Sequence, residues 1–405
     1  MDDVSASEID WRLGSEAASI LAGEAHESNL AALGNRLRKS FTPERAAWLT
    51  QQIELRRRAK AKFSAAQSMY FTTRGLEQAT DEVTAAYKAA RFPLAAPLAD
   101  LCCGIGGDLQ AMSQRATSAR AVDLDPWLAA VSQANSQAAG VPVRRVESRV
   151  EAACVAHVAD AAAWHVDPDR RVAQRRLTQP DDFSPSWTEV ASFVEANPNA
   201  AVKLAPASGL PPDWAERGER EWISYRGECR QQTLWLGALT NAAGSRRATA
   251  LQPGREPASL SGSPDEGVAV AENIGRYLID PDASVLAARL AGAACRVWDA
   301  AACDRDAMYL TSENFRDDPL GDWFEVQDVL PLDVKKLKAY FRERNVGRLE
   351  LKTRGADVKL DDLSKRLGLP GGGELLTMIA ARTSHGVKAA IARRVRRGDP
   401  SQPNH

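Results

Sequence analysis

The chain has 405 residues, 44% of them apolar and 26% charged, with a net charge of −1. That length suggests two or three domains, and that composition suits packed globular cores rather than collagen, a coiled-coil rod or wholesale disorder. No stretch approaches the roughly twenty uninterrupted apolar residues of a membrane-spanning helix. The start, Met-Asp-Asp-Val, is acidic where a secretory signal would be basic and then apolar, so a cytoplasmic protein is expected. Six cysteines stand at 102, 103, 154, 229, 295 and 303 with no CxxC pair, and the five histidines are not spaced from them as zinc ligands. Neither a disulfide framework nor a metal site is expected.

Residues 1–92 read as helices. Thr42-Pro43-Glu44 supplies a cap, a first-turn proline and an acid, and Thr80-Asp81-Glu82 opens another helix. Arg56, Arg57, Arg58, Lys60 and Lys62 form a basic cluster, expected as a solvated helix face. From 93 to 250 short apolar runs alternate with helical patterns, the signature of a parallel sheet. Strands are expected at 97–102, 119–124, 141–146, 161–166 and 200–204. Asp125 caps the helix after the second strand, Pro126 takes its first turn and Gly140 stops it.

Asp100-Leu101-Cys102-Cys103-Gly104-Ile105-Gly106-Gly107-Asp108 lies between the first strand and its helix. Glycines there let the backbone turn sharply and approach a ligand. Asp123 ends the next strand, where a carboxylate can accept both hydroxyl hydrogens of a ribose. A P-loop would need a lysine that Gly107-Asp108 does not supply. A dinucleotide fold would rest its pyrophosphate near Asp108, an unfavourable place for an anion. A cationic nucleoside without phosphates, S-adenosylmethionine, fits better, with Asp100 facing its ammonium group.

On these residues the sequence resembles class I S-adenosylmethionine-dependent methyltransferases: Asp100 to Asp108 look like motif I, and Asp123 like the acid that follows it. Together with Phe71-Thr72-Thr73-Arg74-Gly75-Leu76 and Tyr340-Phe341-Arg342-Glu343-Arg344-Asn345-Val346-Gly347-Arg348, the variant is similar to bacterial methyltransferases with a C-terminal THUMP-like domain. The trimethylguanosine synthases look like more distant relatives. The resemblance implies an α/β fold: a Rossmann-like sheet behind an N-terminal helical region, and a small C-terminal αβ domain. It implies cofactor contacts from Asp100, Cys102, Gly104, Gly106, Asp123 and Glu147. The family's first motif I glycine is Cys102 here. The end of the fourth strand faces the methyl acceptor in such enzymes, which points to Asp167, Pro168 and Arg170 as catalytic residues. Enzymes acting on exocyclic amines often carry Pro-aromatic after the Asn/Asp-Pro pair, and this chain has Asp169-Arg170 instead. Arg171 and Lys203 then fall on the acceptor side. Carbon-5 pyrimidine methylation would need a catalytic cysteine, for which Cys154 and Cys229 lack a recognisable setting.

Residues 252–267 are rich in Pro, Gly and Ser and read as a linker, followed by a helix over 283–298. A last unit follows, with a helix at 333–345, a strand at 348–352, a short helix at 361–367 and strands at 375–381 and 387–395. From 335 to 405 there are 17 Lys+Arg against 7 Asp+Glu, so a balance of +10 is set against −11 for the rest. Such a face can track phosphates, with Arg348, Lys352 and Arg354 as candidates. THUMP domains accompany RNA-modifying enzymes, so the resemblance implies an RNA partner. The expected organisation is helical 1–92, catalytic 93–250, linker 251–274, connector 275–334 and basic domain 335–405. Two alternatives stay open: a methyltransferase for a small molecule or protein, and a non-enzymatic RNA-binding module with a vestigial cofactor site.

Overall fold

The computed structural model describes residues 4–169, 171–172, 175–176, 183–306, 308–369 and 371–395. They fall into two compact units, one within 1–219 and 233–243, the other within 220–232 and 244–405.

The first unit opens with helices α1 (Ala6–Leu13), α2 (Ser15–Gly23), α3 (Leu30–Leu37) and α4 (Pro43–Ala59), then α5 (Thr73–Gln78) and α6 (Glu82–Ala89). Thr42 and Asp81 cap α4 and α6 as their sequence predicts, each accepting a backbone N–H from the first turn. Strand β1 (Pro97–Leu101), helix α7 (Gly107–Arg115), strand β2 (Ser118–Asp123), helix α8 (Pro126–Ala138) and strands β3 (Val146–Val150) and β4 (Ala163–Val166) follow. Helix α9 (Trp187–Ala196), strand β5 (Ala200–Leu204) and helix α10 (Pro212–Arg217) follow, and then strands β6 (Glu219–Tyr225) and β7 (Glu228–Trp235), of which residues 220–232 belong to the second unit. The sheet order is β3-β2-β1-β4-β5-β7. Strands β1 to β5 are all parallel. The order reverses beside β1, and in such sheets ligands bind outside the carboxyl ends of the strands at that point.

Three expectations shift here. The third strand begins at Val146, because 143–145 form a single 3-10 turn after Pro142. The β6–β7 hairpin was not expected. Its buried residues include Glu221, Gln231, Gln232 and Thr233, so apolar alternation is hidden. Its two-residue turn uses Arg226 and Gly227, both at positive φ, rather than Asn-Gly. The basic cluster near 56 is not simply solvated: Arg56 is buried and donates to the Met69 carbonyl. Lys62 donates to the carbonyls of Leu76 and Ala79, closing the end of α5.

The N-terminal helices share a core with the glycine turn. Trp48, Leu49, Ile53, Tyr70 and Phe71 pack with Ile105, Trp127 and Val131. Asn135 of α8 fastens the layers, accepting from the Tyr70 N–H at 2.7 Å and donating to the carbonyls of Tyr70 and Ile105, both at 2.9 Å. Residues 1–92 and the strands after them thus form one unit.

In the second unit β8 (Arg246–Leu251) pairs in parallel with β6 and antiparallel with β9 (Ala258–Gly262). The expected linker at 252–267 therefore contains a strand. A seven-stranded sheet follows, built from β10 (Tyr277–Pro281), β11 (Ala301–Ala302), β12 (Leu310–Ser312), β13 (Gly321–Pro331), β14 (Val346–Arg354), β15 (Glu374–Thr383) and β16 (Gly386–Arg394). Their order is β11-β12-β10-β13-β16-β15-β14. The expected helix over 283–298 is two, α11 (Ala283–Ala288) and α12 (Ala291–Trp298), broken where Arg289 turns to a φ of 59°. Helices α13 (Val334–Glu343) and α14 (Leu360–Leu367) bury Leu337, Phe341, Leu363 and Leu367 against Met378 and Ile391.

Candidate active site

The carboxyl edge of the first unit's sheet gathers the expected residues. The glycine turn follows β1, Asp123 ends β2, Asp167 follows β4 and Lys203 lies near the end of β5. Asp123 anchors the turn. One carboxylate oxygen accepts the Gly104 N–H at 2.9 Å, and the other accepts the Asp125 N–H at 3.0 Å. Each oxygen keeps a lone pair for a further donor. Burial raises the Asp123 carboxyl above its ordinary value, and the Asp125 and Gly104 amides pull against that.

Gly104 has a φ of 54°, and a side chain there would point into open space, so the turn presents bare backbone to a ligand. Gly107 is needed for a different reason: a Cβ would come within 2.9 Å of the Thr80 carbonyl oxygen. Cys102 stands at a φ of 57°, a region L-residues enter at a cost of about 1–2 kcal/mol. This explains why glycine is usual at that position. The thiol is pushed well up, first by burial and then by the neighbouring carboxylates of Asp123 and Asp167, so it stays protonated. Cys102→Gly is therefore expected to leave stability unchanged or raise it by about 1 kcal/mol, read by thermal melting. A loss beyond that would mean the thiol's packing outweighs the backbone strain.

Beneath the turn lies a chain of buried charge. Asp100 and His165 are opposite one another on paired strands, with Oδ1 and Nδ1 2.7 Å apart and both side chains 2% exposed. Burial pushes the Asp100 carboxyl up, and His165 offsets part of that. The expectation that Asp100 faces a ligand's ammonium meets a different placement: the carboxylate is given to His165. Asp108 lies 2.6 Å from Lys88 Nζ, which is itself 3% exposed, and accepts the Thr80 hydroxyl hydrogen at 2.7 Å. Burial alone would raise Asp108. Lys88, His165 and Lys203 outweigh it and hold the carboxyl far below the usual range. Lys203 Nζ reaches Asp167 at 2.7 Å, and those carboxylates keep its ammonium charged against the opposing effect of burial.

Asp167 and Asp169 look out from the end of β4, and Arg74 of α5 donates to Asp169 at 2.6 Å. Pro168 lies between them. Arg170 and the Arg171 side chain lie outside the described residues. Glu147 sits in the body of β3, opposite Arg120, and pairs with Arg149 rather than standing at the strand's end. The acid at that end is Glu151, whose N–H donates to the Asp123 carbonyl at 3.2 Å. Arg74, Lys88, His165 and Glu151 were not singled out in the sequence. Register with β1 explains His165, and Lys88 is placed by the packing of α6 on α7.

In the second unit, Lys352 and Arg354 of β14 both pair with the buried Asp280, at 2.8 and 2.9 Å. Arg394 pairs with Asp322 and Glu350. Arg348 is exposed and has no ion pair among the described residues. On α13, Lys335, Lys338 and Arg342 recur at helical spacing, are exposed and are likewise unpaired among the described residues. Arg396 and Arg397 lie outside the described residues. No group of three or more metal-ligating side chains occurs among the described residues, and no described helix is long and apolar enough to cross a membrane.

Residues 321–394 match the family model of THUMP-like domains, which spans β13 to β16. Two Mycobacterium tuberculosis proteins named as uncharacterized S-adenosylmethionine-dependent methyltransferases are each 31% identical over 368 residues, covering 86% of this chain and 98% of theirs. A crystal structure from Porphyromonas gingivalis, assigned to a methyltransferase, superposes with a TM-score of 0.75 at 18% identity. It covers 94% of this chain and 98% of that one, which supports the fold. The chain belongs to the S-adenosylmethionine-dependent methyltransferases, as a member with a THUMP-like domain at its C-terminal end.

Proposed function

We propose that this methyltransferase modifies RNA in the cytoplasm, holding the cofactor at the glycine turn and the acceptor beside Asp167. The observation that carries the cofactor's place is Asp123, which fixes the Gly104 amide while keeping acceptor capacity for a ribose diol. The bound cofactor supplies an electrophilic methyl group on a sulfonium. The chain's own residues position the partners in line and exclude water, so no protein nucleophile is required. Asp167, held by Lys203, is a carboxylate suited to accept a hydrogen from the acceptor. Asp169 is tied to Arg74, which turns the mouth of the site toward a polar substrate. Six unpaired cysteines suit a reducing compartment.

The RNA part of the reading is supported by the THUMP-like match and by the unpaired cations on the outer face of α13. Lys352 and Arg354 are engaged by Asp280, so we assign phosphate contact to Lys335, Lys338 and Arg342, with Arg348 as a further contact. Each phosphate neutralised adds about 0.7 to the salt slope for single-stranded RNA. Replacing Lys335, Lys338 and Arg342 together by Ala is expected to lower the slope by about 2 and to weaken RNA capture about ten-fold near physiological salt. The measurement is filter binding of cellular RNA across a salt series, alongside radiolabelled methyl incorporation. Label that appears in protein or small molecules and persists after ribonuclease treatment would refute the RNA reading.

A further inference from the structure

The loop after β3 carries a second constellation, apart from the glycine turn. Cys154 is exposed and its Sγ lies 3.4 Å from His157 Nδ1. The Cys154 backbone N–H also donates to Nδ1 at 3.0 Å. Nδ1 is therefore the acceptor nitrogen, and the ring proton resides on Nε2. That nitrogen faces Glu151 Oε1 at 3.1 Å. His157 is buried and sits in a one-turn 3-10 helix, Val155–His157, where Arg120 donates to its carbonyl at 2.8 Å. Arg149 approaches that same Glu151 oxygen at 3.6 Å. Thiol, imidazole and carboxylate thus form a line in which a buried ring joins two exposed groups. They do not converge on one point, and no metal-holding group is found among the described residues.

We propose that Cys154 is an activated surface thiol that exchanges with low-molecular-weight disulfides, with His157 as its base and Glu151 holding the imidazole in the required tautomer. The arrangement matches what nucleophile activation needs: a thiol within reach of a base that a third group orients. In the step, His157 Nδ1 exchanges the Cys154 backbone N–H for the thiol proton, its one lone pair serving either donor but not both, and the sulfur attacks one sulfur of the disulfide. A new S–S bond forms to Cys154 as the old one breaks. The departing thiolate takes the proton from His157 and leaves as a thiol. Cys154 is oxidised and the small disulfide is reduced, so no other oxidant is involved. The remaining cysteines do not share this setting: Cys102 and Cys103 are held protonated by burial, and Cys229, Cys295 and Cys303 are likewise pushed up. The proposal does not depend on cofactor binding.

The test is alkylation of the full chain by limiting iodoacetamide near neutral pH, with each cysteine followed by peptide mass spectrometry. Exposure alone cannot make a native thiol react faster than the same thiol in an unfolded chain. The expected result is a Cys154 rate about ten-fold above that of the urea-unfolded protein. His157→Gln should remove that excess, and Glu151→Gln, at an exposed position, should cut it about three-fold with the fold intact. Oxidised glutathione should then add one tripeptide unit, on Cys154. A native rate no higher than the unfolded rate, a rate indifferent to both substitutions, or glutathione adducts not concentrated on Cys154 would overturn the proposal.

Discussion

Asp123→Ala is expected to abolish measurable S-adenosylmethionine binding, raising Kd by at least about 100-fold. Hydrogen bonds to an ionised acceptor contribute roughly 1.5–3 kcal/mol each, and a ribose diol offers two. Their loss, together about 3–6 kcal/mol, corresponds to two to four orders of magnitude in Kd. The substitution also frees the Gly104 and Asp125 amides, so the turn loses its tie to β2. Asp123→Asn should fail nearly as badly, because its amide nitrogen must face one of those two N–H donors. Isothermal calorimetry measures the affinity, and circular dichroism shows whether the unit stays folded. If Asp123→Ala binds the cofactor within a few-fold of the parent while folded, the ribose assignment is wrong.

The second large effect concerns stability. Asp108→Asn leaves the Lys88 ammonium buried without its counter-charge, and breaking a buried pair from one side costs about 3–5 kcal/mol. Set against a net stability of roughly 5–15 kcal/mol, this lowers the melting temperature by roughly 6–20 °C for a unit of this size. Lys88→Met alone should also destabilise. The double substitution should recover much of the loss, because the orphaned charge is gone. The pH dependence has a definite sign. The folded chain holds Asp108 below its ordinary carboxyl value, so on acidification the unfolded chain takes up that proton first. The stabilisation is fully present above about pH 4 and is lost as pH falls through the lower folded value. Denaturant melts should show a constant gap between the parent and Asp108→Asn above about pH 5, narrowing below about pH 4. A gap that widens in acid would contradict the pairing.

The sequence made the glycine turn and its acid legible because both depend on local chemistry: a strand, a sharp turn and a carboxylate one strand later. The caps at Thr42, Asp81 and Asp125 were readable for the same reason. What stayed hidden was set by distant packing. The β6–β7 hairpin buries polar side chains, so no alternation marked it. Strand β13 shows buried Trp323 and Phe324 side by side rather than an alternating face. Charge counting located the basic end of the chain, but could not tell that Asp280, far upstream in sequence, neutralises Lys352 and Arg354. Nor could spacing alone single out Cys154, because the ring that faces it is placed by a single 3-10 turn.

The clasp made by Asn135 has a bearing on how the chain is born. Its partner Tyr70 precedes it by 65 residues, which at ribosomal speeds of about 5–20 residues per second is a delay of roughly 3–13 seconds. For that interval the aromatic surface of Trp48, Tyr70 and Phe71 has emerged while Ile105, Trp127 and Val131 have not all followed. Until then the N-terminal helices lack the partners that bury their aromatic surface.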